Sequence, residues 1–429
     1  MTLNLLAVGD LHLGRSPGGL PAKLREELDV RDLGPATALR RIVAAATAMP
    51  VDAVVFAGDV VEQEDDFFEA YRDLRDAVRT LDRAGITVAA VAGNHDVRVL
   101  PHLADEMPAF RLLGRGGNWE DLTLVSRNGT EVVLHGWSFT TPRVLESPLG
   151  DYRFPRDLRP TLGLLHCDRD QAGSPHAPVG SRELVASGLD AWLLGHIHRP
   201  DALDVTTPSG YLGSATALRR SETGPRGPWL YVLESGGIRT VEQWPLAPLR
   251  WEELTVPLDG IHEAADARQR LLHAAVEAGR GIVGASHRPD VLGLRITFTG
   301  RTDLRREVDT LLAAEDLTEI PGVAELRCFV GHYRFDTLPE VDLHQLAQRT
   351  DPVGLLARRL ILLEENNDPA GQRRLLQLAR ERLENAGRDP VWGDLALSTP
   401  TDAELLGFLR EAAREGLDAL LAQHREPGT

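Results

Sequence analysis

Leu3-Asn4-Leu5-Leu6-Ala7-Val8-Gly9-Asp10-Leu11-His12 is a short apolar run that ends, one glycine later, in an acid and a histidine. The pattern returns twice. Ala53-Val54-Val55-Phe56 leads into Ala57-Gly58-Asp59-Val60-Val61-Glu62, and Val88-Ala89-Ala90-Val91 leads into Ala92-Gly93-Asn94-His95-Asp96. Apolar, β-branched-rich runs bounded by glycine predict buried strands. Helical spacing fills the gaps from Pro35 to Met49 and from Phe67 to Ala84, so β and α alternate and the strands are expected to run parallel. Each polar cluster then lies at the carboxyl end of a strand, where open α/β sheets gather their ligands.

The same signature recurs later, where Leu162-Gly163-Leu164-Leu165 ends in His166 and Ala191-Trp192-Leu193-Leu194-Gly195 ends in His196-Ile197-His198. Asp10, Asp59, Asn94, His12, His166, His196 and His198 together supply two carboxylates, one amide oxygen and four imidazoles. That set is too large for one tetrahedral zinc and suits two adjacent divalent ions that share a bridging carboxylate.

Asp10-x-His12, Gly58-Asp59, Gly93-Asn94-His95-Asp96, His166 and Gly195-His196-x-His198 resemble the five-part signature of the calcineurin-like metallophosphoesterases. Ala177-Pro178-Val179, Glu183-Leu184, Asp190 to His198, Gly213-Ser214, Arg219, Glu222, Gly224-Pro225 and Gly227 resemble the SbcD-type DNA-repair nucleases, especially their YhaO-like branch. The detailed likeness covers roughly residues 1–240. It implies an α/β fold, a calcineurin-like β-sandwich flanked by helices, with a small α+β cap and a helical C-terminal region. The expected bounds are 1–245 for the phosphoesterase, 250–335 for the cap and 341–429 for the helices.

The resemblance also implies roles. Asp10, His12, Asp59 and His198 would hold one ion, and Asp59, Asn94, His166 and His196 the other, with Asp59 bridging. Manganese is the implied metal; iron, zinc and cobalt suit the donors nearly as well. His95 is the implied general acid for the leaving oxygen, and Asp96 would orient it or brace the site from behind. The implied reaction is endo- or exonucleolytic hydrolysis of DNA phosphodiester bonds by metal-activated hydroxide. An SMC-like coiled-coil ATPase partner and a homodimer are implied as well. Glu62 departs from the pattern: many SbcD-type nucleases carry a histidine there, linked with exonuclease action.

With 429 residues, two or three domains are expected. The two cysteines, Cys167 and Cys328, fit a reducing cytoplasm, and Cys167 is expected to face away from neighbouring His166. No apolar stretch is long enough to span a membrane, and the first residues enter a strand without a secretory leader. The net charge of −17 argues against tight autonomous duplex binding, though not against cleavage, because two divalent ions add about four positive charges where a phosphate must sit.

Other features admit two readings each. The loop 14–34, with Arg15, is a solvated surface or a substrate contact. Glu62, Glu64, Asp65, Asp66 and Glu69 read as the acidic first turn of a helix. Arg98 to Pro108 reads as irregular, with His102 a loop histidine. His135, at the end of an Asn128-Gly129 hairpin, and His176, in a Gly/Pro loop, read as lying outside the chemistry. Arg219, Arg220 and Arg226 are phosphate-positioning groups or surface arginines. Residues 243–248 read as a linker. Gln345 to Glu364, Ala370 to Asn385 and Thr401 to Gln423 read as helices that pack on the cap, on each other or on a partner. Two further functions compete with DNA cleavage: a phosphodiesterase or phosphatase for nucleotides and other small esters, and a non-catalytic scaffold subunit.

Overall fold

The computed structural model describes residues 1–63, 67–150, 152–283, 287–320, 326–365, 368–386 and 400–423. Glu64, Asp65 and Asp66, read above as a helix start, lie outside the described residues, as do Glu325, expected to open a strand, Asn366 and Asn367, expected to separate two helices, and Ser398 and Thr399, expected to start the last one. The chain forms two compact units, one of residues 1–300 with 304–337 and one of 301–303 with 338–429.

In the first unit, β1 (Leu3–Val8), β2 (Ala53–Phe56), β3 (Thr87–Ala90) and β4 (Phe110–Leu112) run parallel and in that order. The chain then builds a second sheet from β5 (Glu120–Val125), β6 (Glu131–Trp137), β7 (Thr161–His166), β8 (Ala191–Gly195) and β9 (Gly210–Tyr211). β10 (Trp229–Glu234) and β11 (Gly237–Gln243) return to the first sheet, antiparallel on the free side of β1. The continuous apolar runs of β1 and β2 have a simple cause: both faces are buried. Leu3, Leu5 and Ala7 pack between the sheets against Leu162, Leu164 and Leu193. Leu6 and Val8 pack on the other face, beneath α2 (Pro35–Ala48) and α3 (Phe67–Arg83). The fold is therefore an α/β sandwich with helices outside, as the sequence predicts.

Three further strands, β12 (Leu249–Pro257), β13 (Val291–Arg301) and β14 (Arg327–Leu338), form a separate sheet. β12 and β13 are parallel, linked by α6 (Ala264–Val283), and α6 and α7 (Arg305–Ala314) cover one face. Leu249, Trp251, Val291 and Phe329 on the other face pack against Leu20, Leu24 and Leu33 of the 14–34 loop. The second unit has its own core of Val353, Leu360 and Leu417, from helices Pro352–Glu364 and Asp402–Gln423.

Several local expectations are corrected. Residues 98–108 are not irregular throughout; Leu100–Asp105 is a helix with Pro101 in its first turn, where a missing N–H costs nothing. The helix expected from Gln345 to Glu364 is two, because Asp351 caps a new start by accepting from the Gly354 amide at 3.0 Å, ahead of Pro352. β4, β11 and helix Ser181–Ala186 are short or polar enough to have escaped the pattern reading.

Candidate metal centre

The parallel strands deliver their ends to one place. Asp10 and His12 follow β1, Asp59 follows β2, Asn94 follows β3, His166 ends β7, and His196 and His198 follow β8. The loops are locked to one another: the Leu11 and His12 amides donate to the Asp59 carbonyl at 3.1 and 2.9 Å, and the His196 amide donates to Asp10 Oδ1 at 2.8 Å. His12, Asp59 and His196 adopt φ of 55°, 48° and 100°. Left-handed backbone at non-glycine residues is costly and persists only where the surroundings enforce it. The motif glycines have a matching reason, since a Cβ on Gly93 would stand 2.2 Å from Asp59 Oδ1, and one on Gly58 would stand 2.6 Å from His166 Nδ1.

All seven predicted ligand-type residues converge. His12 Nε2 lies 3.0 Å from His198 Nε2. His166 Nε2 lies 3.0 Å from Asn94 Oδ1 and 3.2 Å from His196 Nδ1, and Asn94 Oδ1 lies 3.1 Å from His196 Nδ1. Asp59 Oδ2 stands between the two groups, 3.3 Å from His166 Nε2 and 3.9 Å from His12 Nε2. Asp10, His12 and His198 form one cluster with metal-ligand spacing, and Asp59, His166 and His196 another. Asp10 Oδ2 is buried with no hydrogen-bond partner. An orphaned carboxylate oxygen beside imidazole nitrogens is costly without a cation, so the residues fit two divalent ions.

The outward nitrogens are held as well. His12 Nδ1 lies 2.7 Å from Glu62 Oε2, His198 Nδ1 2.9 Å from Glu222 Oε1, His196 Nε2 3.2 Å from Asp168 Oδ1, and His166 Nδ1 3.0 Å from the Ala57 carbonyl. An acceptor on the far nitrogen keeps the proton there and turns the other lone pair inward. Of these acceptors, the sequence reading missed Asp168 entirely and gave Glu222 no role. It placed Glu62 in a helix start, whereas Glu62 precedes α3 and touches His12 and, at 3.4 Å, Arg15. The missed signal is chemical: four imidazoles need four acceptors, and a carboxylate near each is the natural candidate.

Electrostatics follow the same plan. Burial alone would raise the Asp59 carboxyl, but His166 and His12 hold it well below the usual carboxylate range. Burial likewise opposes the His166 cation, yet Asp59 and Asp10 push its pKa up to about 9. Burial and the neighbouring His166 lower His196 to about 4. Protons thus occupy a pocket of negative potential that a metal ion would otherwise neutralise.

The remaining candidates separate. His95 stands exposed at the rim, its ring centroid 5.1 Å from that of His12 and its Nδ1 3.2 Å from the Glu62 carbonyl. Asp96 is fully buried; it accepts from the Val60 amide at 2.6 Å and the Gly93 amide at 2.8 Å, which braces the β2 and β3 loops rather than orienting His95. His135 is buried against Asp121, and Cys167 packs in the core behind β7. The His176 ring lies tilted against that of His196, centroids 4.8 Å apart, closer to the centre than a solvated loop histidine would be. Arg226 is neither a surface nor a phosphate-facing group: it is buried and donates to the carbonyls of His198 and Thr223.

Residues 3–200 match the calcineurin-like phosphoesterase family. The metallophosphoesterase YhaO of Bacillus subtilis is 27% identical over 258 residues, 59% of this chain and 63% of that protein. The DNA double-strand break repair protein Mre11 of Haloferax volcanii is 30% identical over 263 residues, 57% of this chain and 53% of that protein. The matched stretch therefore spans less than two thirds of either relative. A solved dimetal phosphatase from Danio rerio is 12% identical, covering 56% of this chain and 96% of its own, with a TM-score of 0.33. No described helix is long and apolar enough to cross a membrane.

Proposed function

We propose, from the premise that residues 3–200 form a calcineurin-like phosphoesterase domain, that this protein is a dinuclear-metal-dependent phosphodiesterase that hydrolyses DNA. The observation that carries the reading is the set of four imidazoles, each with its outward nitrogen against an acceptor and its inward one beside Asp59, Asn94 or a second histidine. Asp10, His12, Asp59 and His198 would hold one ion; Asp59, Asn94, His166 and His196 would hold the other. Mixed oxygen and imidazole donors suit manganese. Bound there, the ions supply an activated water and neutralise charge on the phosphate.

The protein's own groups do the rest. Glu62, Asp168, Glu222 and the Ala57 carbonyl keep the imidazole protons on the outer side. His95 donates from Nδ1 to the Glu62 carbonyl, so in its imidazolium form the second proton, on Nε2, is the one passed to the departing oxygen, leaving neutral imidazole. Asp96 fixes the loops that carry Asp59 and Asn94. DNA as substrate draws on the Mre11 relative; the same likeness motivates the readings of 1–245 as nuclease, 250–335 as cap and 341–429 as the dock for a coiled-coil ATPase, in a cytoplasmic homodimer.

The test is turnover by the manganese-loaded full chain on single-stranded DNA, duplex ends, cyclic nucleotides and a chromogenic phosphodiester. DNA cleavage is expected, and His95→Ala should lose about 100-fold or more in rate while retaining its metal. Cleavage of the small esters alone would overturn DNA as substrate. Metal retention without turnover on any of them would leave a scaffold.

A further inference from the structure

The chain carries a net charge of −17, yet part of one face of the third sheet gathers arginines, with Glu253 and Asp336 as the acids on that face. Leu292, Leu294, Ile296 and Phe298 of β13 point into the core under α6 and α7, so Arg295 and Thr297 point the other way. Tyr333 and Phe335 of β14 join that core, which turns His332 and Arg334 to the opposite face, where Arg334 is exposed. Arg334 Nε donates to Thr297 Oγ1 at 3.1 Å, fixing its position across the two strands. The loop after β9, which carries Arg220, is tied to the same sheet: the Gly224 amide donates to the Trp251 carbonyl at 2.8 Å and Thr223 bridges to Trp251. Burial first, and then the positive charges of Arg220, Arg295 and Arg334, lower the His332 pKa.

These cations are poorly neutralised. Among the described residues, Arg220 and His332 have no hydrogen-bond or ion-pair partner, and Arg334 has only the neutral Thr297. Arg295 faces one carboxylate, Glu253, at 3.9 Å. In a chain with 64 acidic and 47 basic residues, guanidinium groups within mutual range and short of counter-charge leave a local positive potential that an anion would relieve. Two of them stand on neighbouring strands, Arg334 beside Thr297 and so two residues along β13 from Arg295, and the third on the loop tied to Trp251. A row of that kind fits successive phosphates better than a single small anion. The row also begins at the metal centre's own support, because Arg220 lies two residues before Glu222, which holds His198.

We propose that Arg220, Arg295 and Arg334 form a docking strip for the sugar–phosphate backbone of a nucleic-acid strand that continues into the metal centre. The strip rests on the reading of DNA as substrate. Contacts of this type position the strand without reading its sequence.

The probe is a fluorescently labelled single-stranded oligonucleotide, titrated by anisotropy at several salt concentrations onto the metal-loaded full chain in a His95→Ala background. Each of Arg220→Ala, Arg295→Ala and Arg334→Ala, with metal content retained, should lower the slope of log affinity against log salt by about 0.7. The double variant Arg220→Ala/Arg334→Ala should bind about tenfold more weakly or worse, equally for all sequences. Unchanged affinity and slope in the variants, with tight binding by the parent, would overturn the strip and leave DNA as substrate intact. Absence of DNA binding by the parent would overturn both. Displacement of the oligonucleotide by poly-glutamate at equal charge concentration would assign the strip to an acidic protein and overturn it as a nucleic-acid dock.

Discussion

At the level of single residues, the outward nitrogens of the histidines decide how well the centre is prepared. His196 carries a left-handed backbone and depends on Asp168 at 3.2 Å to set its ring. Asp168→Ala should therefore weaken manganese binding about 10- to 100-fold, while Asp168→Asn, whose amide oxygen still accepts from Nε2, should retain most of it; isothermal titration separates the two. His166 gives a pH signature. Only neutral imidazole offers a lone pair, so metal binding must expel the proton that Asp59 and Asp10 hold with a pKa of about 9. Affinity should rise with pH up to about 9 on this account, with the His166 proton released at pH 7.5 and His12, whose pKa is also raised, adding to it, measurable as a buffer-dependent binding enthalpy. The sign for stability is opposite. A histidine pKa raised from 6.5 stabilises the metal-free fold most below pH 6.5, and that contribution is lost as pH rises through 9.

Among the elements, Trp251 of β12 fastens the third sheet to the 14–34 loop. It is fully buried, and a Cβ on either Gly293 or Gly331 would fall within 2.6 Å of its ring, so those glycines exist to admit it. Trp251→Ala should cost about 3–5 kcal/mol and expose the loop, seen as a lower denaturant midpoint and faster proteolysis near Leu24. This attachment was invisible in the sequence, where Trp251 is one apolar residue beside a proline-rich stretch. What could be read there were the strand ends, because buried parallel strands leave uninterrupted apolar runs and the polar residues after them stand out. The seven converging side chains were legible for that reason. Asp168 and Glu222 were not, since a carboxylate's task depends on which imidazole the fold brings to it, and neither lies at a strand end. The break at Asp351-Pro352 was present in the sequence as a capping acid before proline, but the apolar spacing on either side concealed it.

Across the whole molecule, two compact units, each with core residues of its own, imply two separable stabilities. The first unit contains every residue of the candidate centre, along with the sandwich and third-sheet cores. The second rests on a smaller core of Val353, Leu360 and Leu417, reinforced by the Arg301–Asp418 ion pair. A metal that binds only the native first unit stabilises that unit alone, by about 2.7 kcal/mol at a free concentration one hundred times its dissociation constant. Scanning calorimetry of the full chain should thus resolve two transitions, of which chelation by EDTA lowers one and leaves the other in place. The moving transition should be the larger in enthalpy, because it carries the greater number of residues. It should also cease to respond to EDTA in Asp59→Ala, where the carboxylate between the two histidine groups is gone. A single transition that shifts as a whole would mean that the helices unfold with the centre, and the stability of the two units would then have to be treated as one quantity.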